Sequence, residues 1–276
     1  MSVALNVACV PAGDGLRALD DSEIVSADGG DAAAGTAGAR GGVHVVSSSA
    51  SIGGDPYPQS SVAAAFWSSP YDETYVNLQE YDAGDCHLKV FTSETCTLNG
   101  LRAGLLSVSG LIRPGSPLDL APQCGGLYGC EYSFSDMNDD LLAPLATISA
   151  SAPGDEVPGF FVSATSPEEL VVLAPDLAGA TSAEGLGFVA GEDLPVSWIP
   201  GDGDDITLYF ASSLALAPRA VVTCNTSDDG SAMIPAELTG VLASFVMQYL
   251  SVSRNRRVEV DGVTLLIARN VSSYLP

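Results

Sequence analysis

Three groups of acidic residues are the densest polar constellations in the chain: Asp136-Met137-Asn138-Asp139-Asp140, Asp202-Gly203-Asp204-Asp205 and Asp228-Asp229-Gly230. Carboxylate oxygens gathered on turns are the hard ligands that calcium prefers. Asp136, Asn138 and Asp140 have the alternate spacing of a calcium loop. Leu141 stands where that loop needs glycine, however, and Thr147 where it needs a bidentate glutamate, which excludes an EF-hand. A site made from Asp202, Asp204, Asp205, Asp228 and Asp229 requires the loops at 199–205 and 225–231 to meet at one end of a sandwich. Asp and Gly are also ordinary turn residues. The expectation is therefore solvated turns, with no resident metal and no cofactor.

Nucleophilic catalysis lacks its usual marks, because there is no G-x-S-x-G elbow, no H-E-x-x-H and no G-x-x-x-x-G-K-[ST] loop. The two histidines are His44 and His87. Cys86 and His87 are neighbours, but adjacent residues of a strand point to opposite faces, so they form no thiolate–imidazole pair. His44 opens a Val-rich strand and reads as a structural histidine. No catalytic residue is assigned. Four of the ten cations, Arg254, Arg256, Arg257 and Arg269, lie close to the C-terminal end. They are expected to pair with the chain's own surplus carboxylates rather than with an acidic partner or an anionic glycan.

The six cysteines, at 9, 86, 96, 124, 130 and 224, include no C-x-x-C pair, so zinc-ligand spacing is absent. The short separations Cys86 to Cys96 and Cys124 to Cys130 suit local disulfides in an oxidising compartment. Each would contribute roughly 2–3 kcal/mol in the chain-entropy model. Cys9 follows Leu5-Asn6-Val7-Ala8, a small residue directly before cysteine with apolar residues upstream, as at the end of a bacterial lipoprotein signal. It is the candidate lipidation site, and the membrane is expected to be reached through that anchor alone.

The elements that would position these residues read as β-structure. Short apolar runs separated by Gly, Pro, Asp and Ser include 43–46, 62–67, 88–92, 105–112, 145–150, 160–164 and 170–173. Val196 and Trp198 alternate with Ser197, and Ile206, Leu208 and Phe210 with Thr207 and Tyr209. Each of these two strands thus has one apolar face. Arg219 to Cys224 is a further strand, and Asp261-Gly262 between two β runs predicts a type I′ hairpin. Pro235 to about Ala243 is the one stretch with helical character.

A chain of 276 residues with 46% hydrophobic residues can bury a sizeable core, which excludes global disorder. With 34 Asp and Glu against 10 Lys and Arg, the net charge of −24 opposes nucleic-acid binding, which needs clustered cations. Residues 10–42 are rich in Gly and Ala with no aromatic residue, a composition that cannot offset its ordering entropy. The division expected is a signal remnant and disordered acidic linker at 1–42, a disulfide-bearing β domain at 43–176 and a β-sandwich at 177–276.

With a Trp198-bearing strand, Cys224 on a later strand, a short helical link and a closing hairpin, residues 185–276 resemble an immunoglobulin-like sandwich without its inter-sheet disulfide. More broadly, the chain resembles uncharacterised exported proteins and lipoproteins of GC-rich Gram-negative bacteria of the myxobacterial kind. The segments that carry this likeness are LRAGLLSVSG (101–110), VPGFFVSATSPEEL (157–170), DLPVSWIPGDGDDITL (193–208) and VVTCNTSDDGSAMIPAEL (221–238). The resemblance implies an all-β antiparallel fold and a cell-envelope or extracellular location, and no functional residues. The reading that results is a non-catalytic binding or adhesion module for a protein or glycan partner. A carboxylate-based, glycosidase-like hydrolase and a calcium-dependent adhesion protein are the alternatives.

Overall fold

The computed structural model describes residues 40–52, 55–68, 72–97, 100–112, 117–126, 129–136, 140–180, 182, 184–213, 219–243 and 246–274. Cys9 and the leader lie outside them. The strands in chain order are β1 (Arg40–Ile52), β2 (Asp55–Trp67), β3 (Asp72–Val76), β4 (Gln79–Ala83), β5 (Cys86–Phe91), β6 (Ser93–Thr97), β7 (Leu106–Ser109), β8 (Leu118–Leu120), β9 (Gln123–Gly126) and β10 (Gly129–Asp136). They continue as β11 (Thr147–Ala152), β12 (Phe160–Thr165), β13 (Val172–Ala174), β14 (Leu194–Trp198), β15 (Asp205–Ser213), β16 (Arg219–Thr226) and β17 (Ser231–Ile234). The helix α1 (Ala236–Leu242) precedes β18 (Val246–Val260) and β19 (Val263–Tyr274).

One ten-stranded sheet, in the order β4-β5-β16-β15-β18-β19-β1-β2-β10-β9, forms the spine of the molecule. Its pairs are antiparallel except β1 with β19, which run parallel. Two smaller sheets carry the opposing core residues, β12-β11-β7-β8 and β13-β14-β17, and β3 pairs with β6 separately. The class is all-β with mainly antiparallel sheets, as the alternating pattern predicts. At the β18–β19 turn, Asp261 and Gly262 have φ of 51° and 76°, the pair of positive values that a type I′ hairpin needs.

Alternation within the long strands builds two cores. In the first, Val43, Val45, Val62, Ala64, Phe66, Leu265 and Ile267 meet Leu106, Val108, Ile148, Ala150 and Val162. In the second, Leu88, Ile206, Leu208, Phe210, Val222, Leu250 and Val252 meet Leu194, Val196, Trp198 and Ile234, with Leu238 and Leu242 of α1. Each large apolar side chain buried in this way contributes about 1.5–3 kcal/mol. β18 and β19 serve both cores. Leu250 and Val252 belong to the second and Val258 and Val260 to the first, and between them on the same face stand Arg254 and Arg256.

The boundary expected near residue 176 is therefore not how the sheet divides. β5 joins β16 although 128 residues separate Phe91 from Arg219, its Cα partner, and β1 joins β19. The expected bridge between Cys86 and Cys96 is also corrected. Cys86 lies directly opposite Cys224 on β5 and β16, and those two are bonded, whereas Cys96 lies on β6 in another sheet. A cross-strand partner at contact distance prevails over proximity in sequence. Cys124 and Cys130 are bonded across β9 and β10, as their spacing predicts.

An ionic clamp closes the loop beneath the first core. The backbone N and Nε of Arg102 donate to Glu156 Oε2 at 2.8 and 3.3 Å, while Glu156 N donates back to the Arg102 carbonyl. The backbone N–H and then the guanidinium hold the Glu156 carboxyl below its ordinary value of 4.5. A depressed carboxyl contributes stability above its unfolded pKa and loses it as pH falls through the folded value. In thermal scans, the advantage of wild type over Glu156→Gln is expected to be full above pH 4.5 and to vanish on further acidification. A pH-independent difference would remove the clamp as its source.

Candidate functional site

The acidic loops and the C-terminal arginines come together at one end of the second core. Arg254, 1% exposed in its side chain, lies with Nε 2.7 Å from Oδ2 of Asp228, which is 4% exposed. Asp228 Oδ1 accepts from the Trp198 indole at 2.8 Å and from Arg254 Nη2 at 3.1 Å, and Oδ2 accepts from Gly203 N at 3.1 Å. Arg254 also donates to the carbonyls of Glu169 and Ile199. Every charge in this buried pair is met by several donors or acceptors, the condition under which such a pair is tolerated.

The loop sequence Pro200-Gly201-Asp202-Gly203 follows from this contact. A Cβ on Gly201 would sit 2.4 Å from Arg254 Cζ, and one on Gly203 would sit 2.6 Å from Arg254 Cγ. Glycine lets the backbone pass over the guanidinium.

The remaining carboxylates are engaged as well. Asp202 accepts from Glu168 N and pairs with Arg256 Nη2, each near 2.8–2.9 Å, and the Asp202 carbonyl accepts from the same guanidinium. Asp204 accepts from Arg257 N at 2.7 Å and lies 3.6 Å from Arg256 Nε. Asp205 accepts from Asn255 Nδ2 at 2.6 Å, and Asp229 accepts from Ser227 and Ser231 of its own loop. The 199–205 and 225–231 loops do meet, and arginine occupies the ground between them. That is the self-pairing the composition predicts, although Arg254 is buried rather than on the surface. Sequence carries one signal of this, a charge at the inward position of an alternating strand.

Calcium is accordingly expected to shift the melting temperature by less than about 3 °C between millimolar calcium and chelator, under ~1 kcal/mol. A larger stabilisation would mean that the arginines yield these carboxylates to a cation.

Arg254 and Arg269 are Cα partners across β18 and β19. Arg269 donates to Asp140 Oδ2 at 2.9 Å and to the Leu142 carbonyl at 2.7 Å, and Asp140 Oδ1 also accepts from Ser47. One arginine thus pairs on the side of the second core and its neighbour on the side of the first, forming a polar seam between the two. Of the first acidic group, Met137 to Asp139 lie outside the described residues.

The histidines fall where strand alternation puts them. Cys86 points into the core and is disulfide-bonded, while His87 on the opposite face lies 2.6 Å from Asp82 and 3.3 Å from Glu80 at the sheet edge. His44 is buried in β1, on the face opposite Val43 and Val45. Tyr132, which sequence reading passed over, donates from its hydroxyl to the Gly104 carbonyl and accepts from Ala103 N, and burial pushes its phenol above the ordinary value of 10.

An apolar surface is exposed on the outer side of the β13-β14-β17 sheet. Val172 packs into the second core and its neighbour Val171 faces outward, while Leu173, the extra residue of a β-bulge between Val172 and Ala174, is exposed as well. Pro195 within β14, Ile199 just after it and Met233 on β17 share that outward side, with Pro195 paired to Met233 and Ile199 N donating to the Val171 carbonyl. Leu173 is 61% exposed and Met233 is 52% exposed.

No family model and no curated protein matches the chain. Among solved structures it is similar to a DUF4785 family protein from Legionella pneumophila subsp. pneumophila, at 7% identity and a TM-score of 0.17. The match covers 70% of this chain and 52% of that one, so the chain spans about half that protein's length.

Proposed function

We propose that the protein is a non-catalytic binding or adhesion module of the cell envelope or the extracellular space. The observation that carries this reading is the outward stripe of Val171, Leu173, Pro195, Ile199 and Met233. Side chains of this size exposed together on one sheet face mark a surface for a partner. The two disulfides among the described residues suit an oxidising compartment. The acidic loops, the strongest candidates for a carboxylate pair, are held by arginines and backbone N–H groups as parts of the frame. That leaves them poorly placed to serve as the acid and base of a hydrolase.

The test is a binding screen of immobilised glycans and proteins, with wild type compared against Leu173→Ser/Met233→Ser. Retention that is lost in the double variant supports the module. Turnover of a glycan that persists in the double variant would replace this reading with the hydrolase.

A further inference from the structure

We infer that the outward face of the β13-β14-β17 sheet docks a cationic polypeptide segment bearing apolar side chains. This rests on the binding-module reading and names the chemistry of the partner.

Two features of the face select that partner. The first is its apolar centre. Leu173 and Met233 lie on strands two spacings apart, about 10 Å, and Val171, Pro195 and Ile199 extend the apolar surface along the strands. An apolar centre favours side chains it can desolvate and gives no orientation of its own.

The second feature is the charge around that centre. Glu168 and Glu169 precede Val171, Asp193 precedes Leu194 at the other end, and Asp229 lies two residues before Ser231, the partner of Ser197; all four acids are exposed. No Lys or Arg occurs from 114 to 218 or from 220 to 253, so the segments that build this sheet and its helix supply no cation. Two guanidiniums adjoin these loops: Arg254 is buried beneath them and committed to Asp228, and Arg256, partly exposed, is committed to Asp202 and Asp204. The face is therefore negative along its rim and apolar in its middle.

The rim raises the local concentration of cations and repels anions, by more than the chain's general charge of −24 would at a distance, because screening confines that general field to about 10 Å. Anionic membranes and anionic glycans are disfavoured on the same ground. An uncharged glycan would bring no counter-charge to the rim carboxylates. A polypeptide segment that places Lys or Arg beside apolar residues satisfies both features, the apolar groups covering the stripe and the cations meeting the rim.

Fluorescence anisotropy with a labelled peptide alternating Lys with Val and Ile tests this. The control peptides replace Lys with Glu, or Val and Ile with Ser. The protein variants are Leu173→Ser/Met233→Ser, which removes the apolar centre, and Glu168→Gln/Glu169→Gln, which removes rim charge. All four positions are exposed, so melting temperatures should stay near wild type. The Lys/Val/Ile peptide is expected to bind wild type, to weaken at least about tenfold with the apolar variant and several-fold with the rim variant, and to weaken with added salt.

Equal binding of the Glu peptide, or binding indifferent to both variants, would overturn the inference. An uncharged glycan that depends on Leu173 and Met233, while the cationic peptide does not, would also overturn it and yet leave the module standing. If no ligand depends on the stripe, both readings fall.

Discussion

Replacing Arg254 with alanine is expected to lower the unfolding free energy by about 3–5 kcal/mol, because it strands the buried Asp228 carboxylate without its counter-ion. Trp198 Nε1 and Gly203 N would still donate to that carboxylate, but the loop at 199–205 would lose the side chain over which Gly201 and Gly203 are fitted. Denaturant titration of Arg254→Ala measures the loss. The double variant Arg254→Met/Asp228→Leu should recover only part of it, since the apolar pair buries no charge but leaves Trp198 Nε1, Gly203 N and the Glu169 and Ile199 carbonyls without these partners. Arg256, partly exposed and paired with Asp202 and Asp204, should cost no more than about 1 kcal/mol on the same substitution. A loss below that level for Arg254→Ala as well would show that the seam contributes nothing particular to the fold.

The second large effect belongs to the Cys86–Cys224 bridge. It closes a loop with a sequence separation of 138, against 6 for Cys124–Cys130. In the chain-entropy model, the longer loop contributes about 5 kcal/mol and the shorter about 2 kcal/mol. Cys86→Ala/Cys224→Ala should therefore destabilise far more than Cys124→Ala/Cys130→Ala when both are unfolded in urea. Removal also touches the second core directly, since both sulfur-bearing residues are buried there. Equal losses from the two double variants would place the stabilisation in local packing instead of the closed loop.

Local elements were legible because they are written in adjacent residues. The alternation of Ile206, Leu208 and Phe210, the Asp261-Gly262 turn and the short helix after Pro235 all appear at their expected places. Long-range pairing is written nowhere locally. Nothing near Cys86 distinguishes Cys96 from Cys224 until β5 and β16 are known to be neighbours, and nothing in β1 names β19 as its partner. The site was half legible. Ion pairing between the Asp-rich loops and the arginines follows from charge balance, but the burial of Arg254 depends on two cores meeting along one strand. The outward stripe was invisible, because β13 and β17 are each too short to show an apolar face by alternation alone.

The parallel ladder between β1 and β19 has a temporal meaning as well. It joins the first and last described strands in the middle of the spine, bringing together residues 222 apart, as Ser51 and Ser273 are. During synthesis, β1 can pair with β2 at once, yet its other edge has no partner until residues 263–274 have emerged. The hairpin of β18 and β19 then supplies that partner in a single step, since the two strands form together around a tight turn. Contacts of such high order make for slow folding. Completion of the sheet is thus tied to the emergence of residues 263–274, and a nascent polypeptide that stalls before Val263 keeps an open strand edge in what should be its centre.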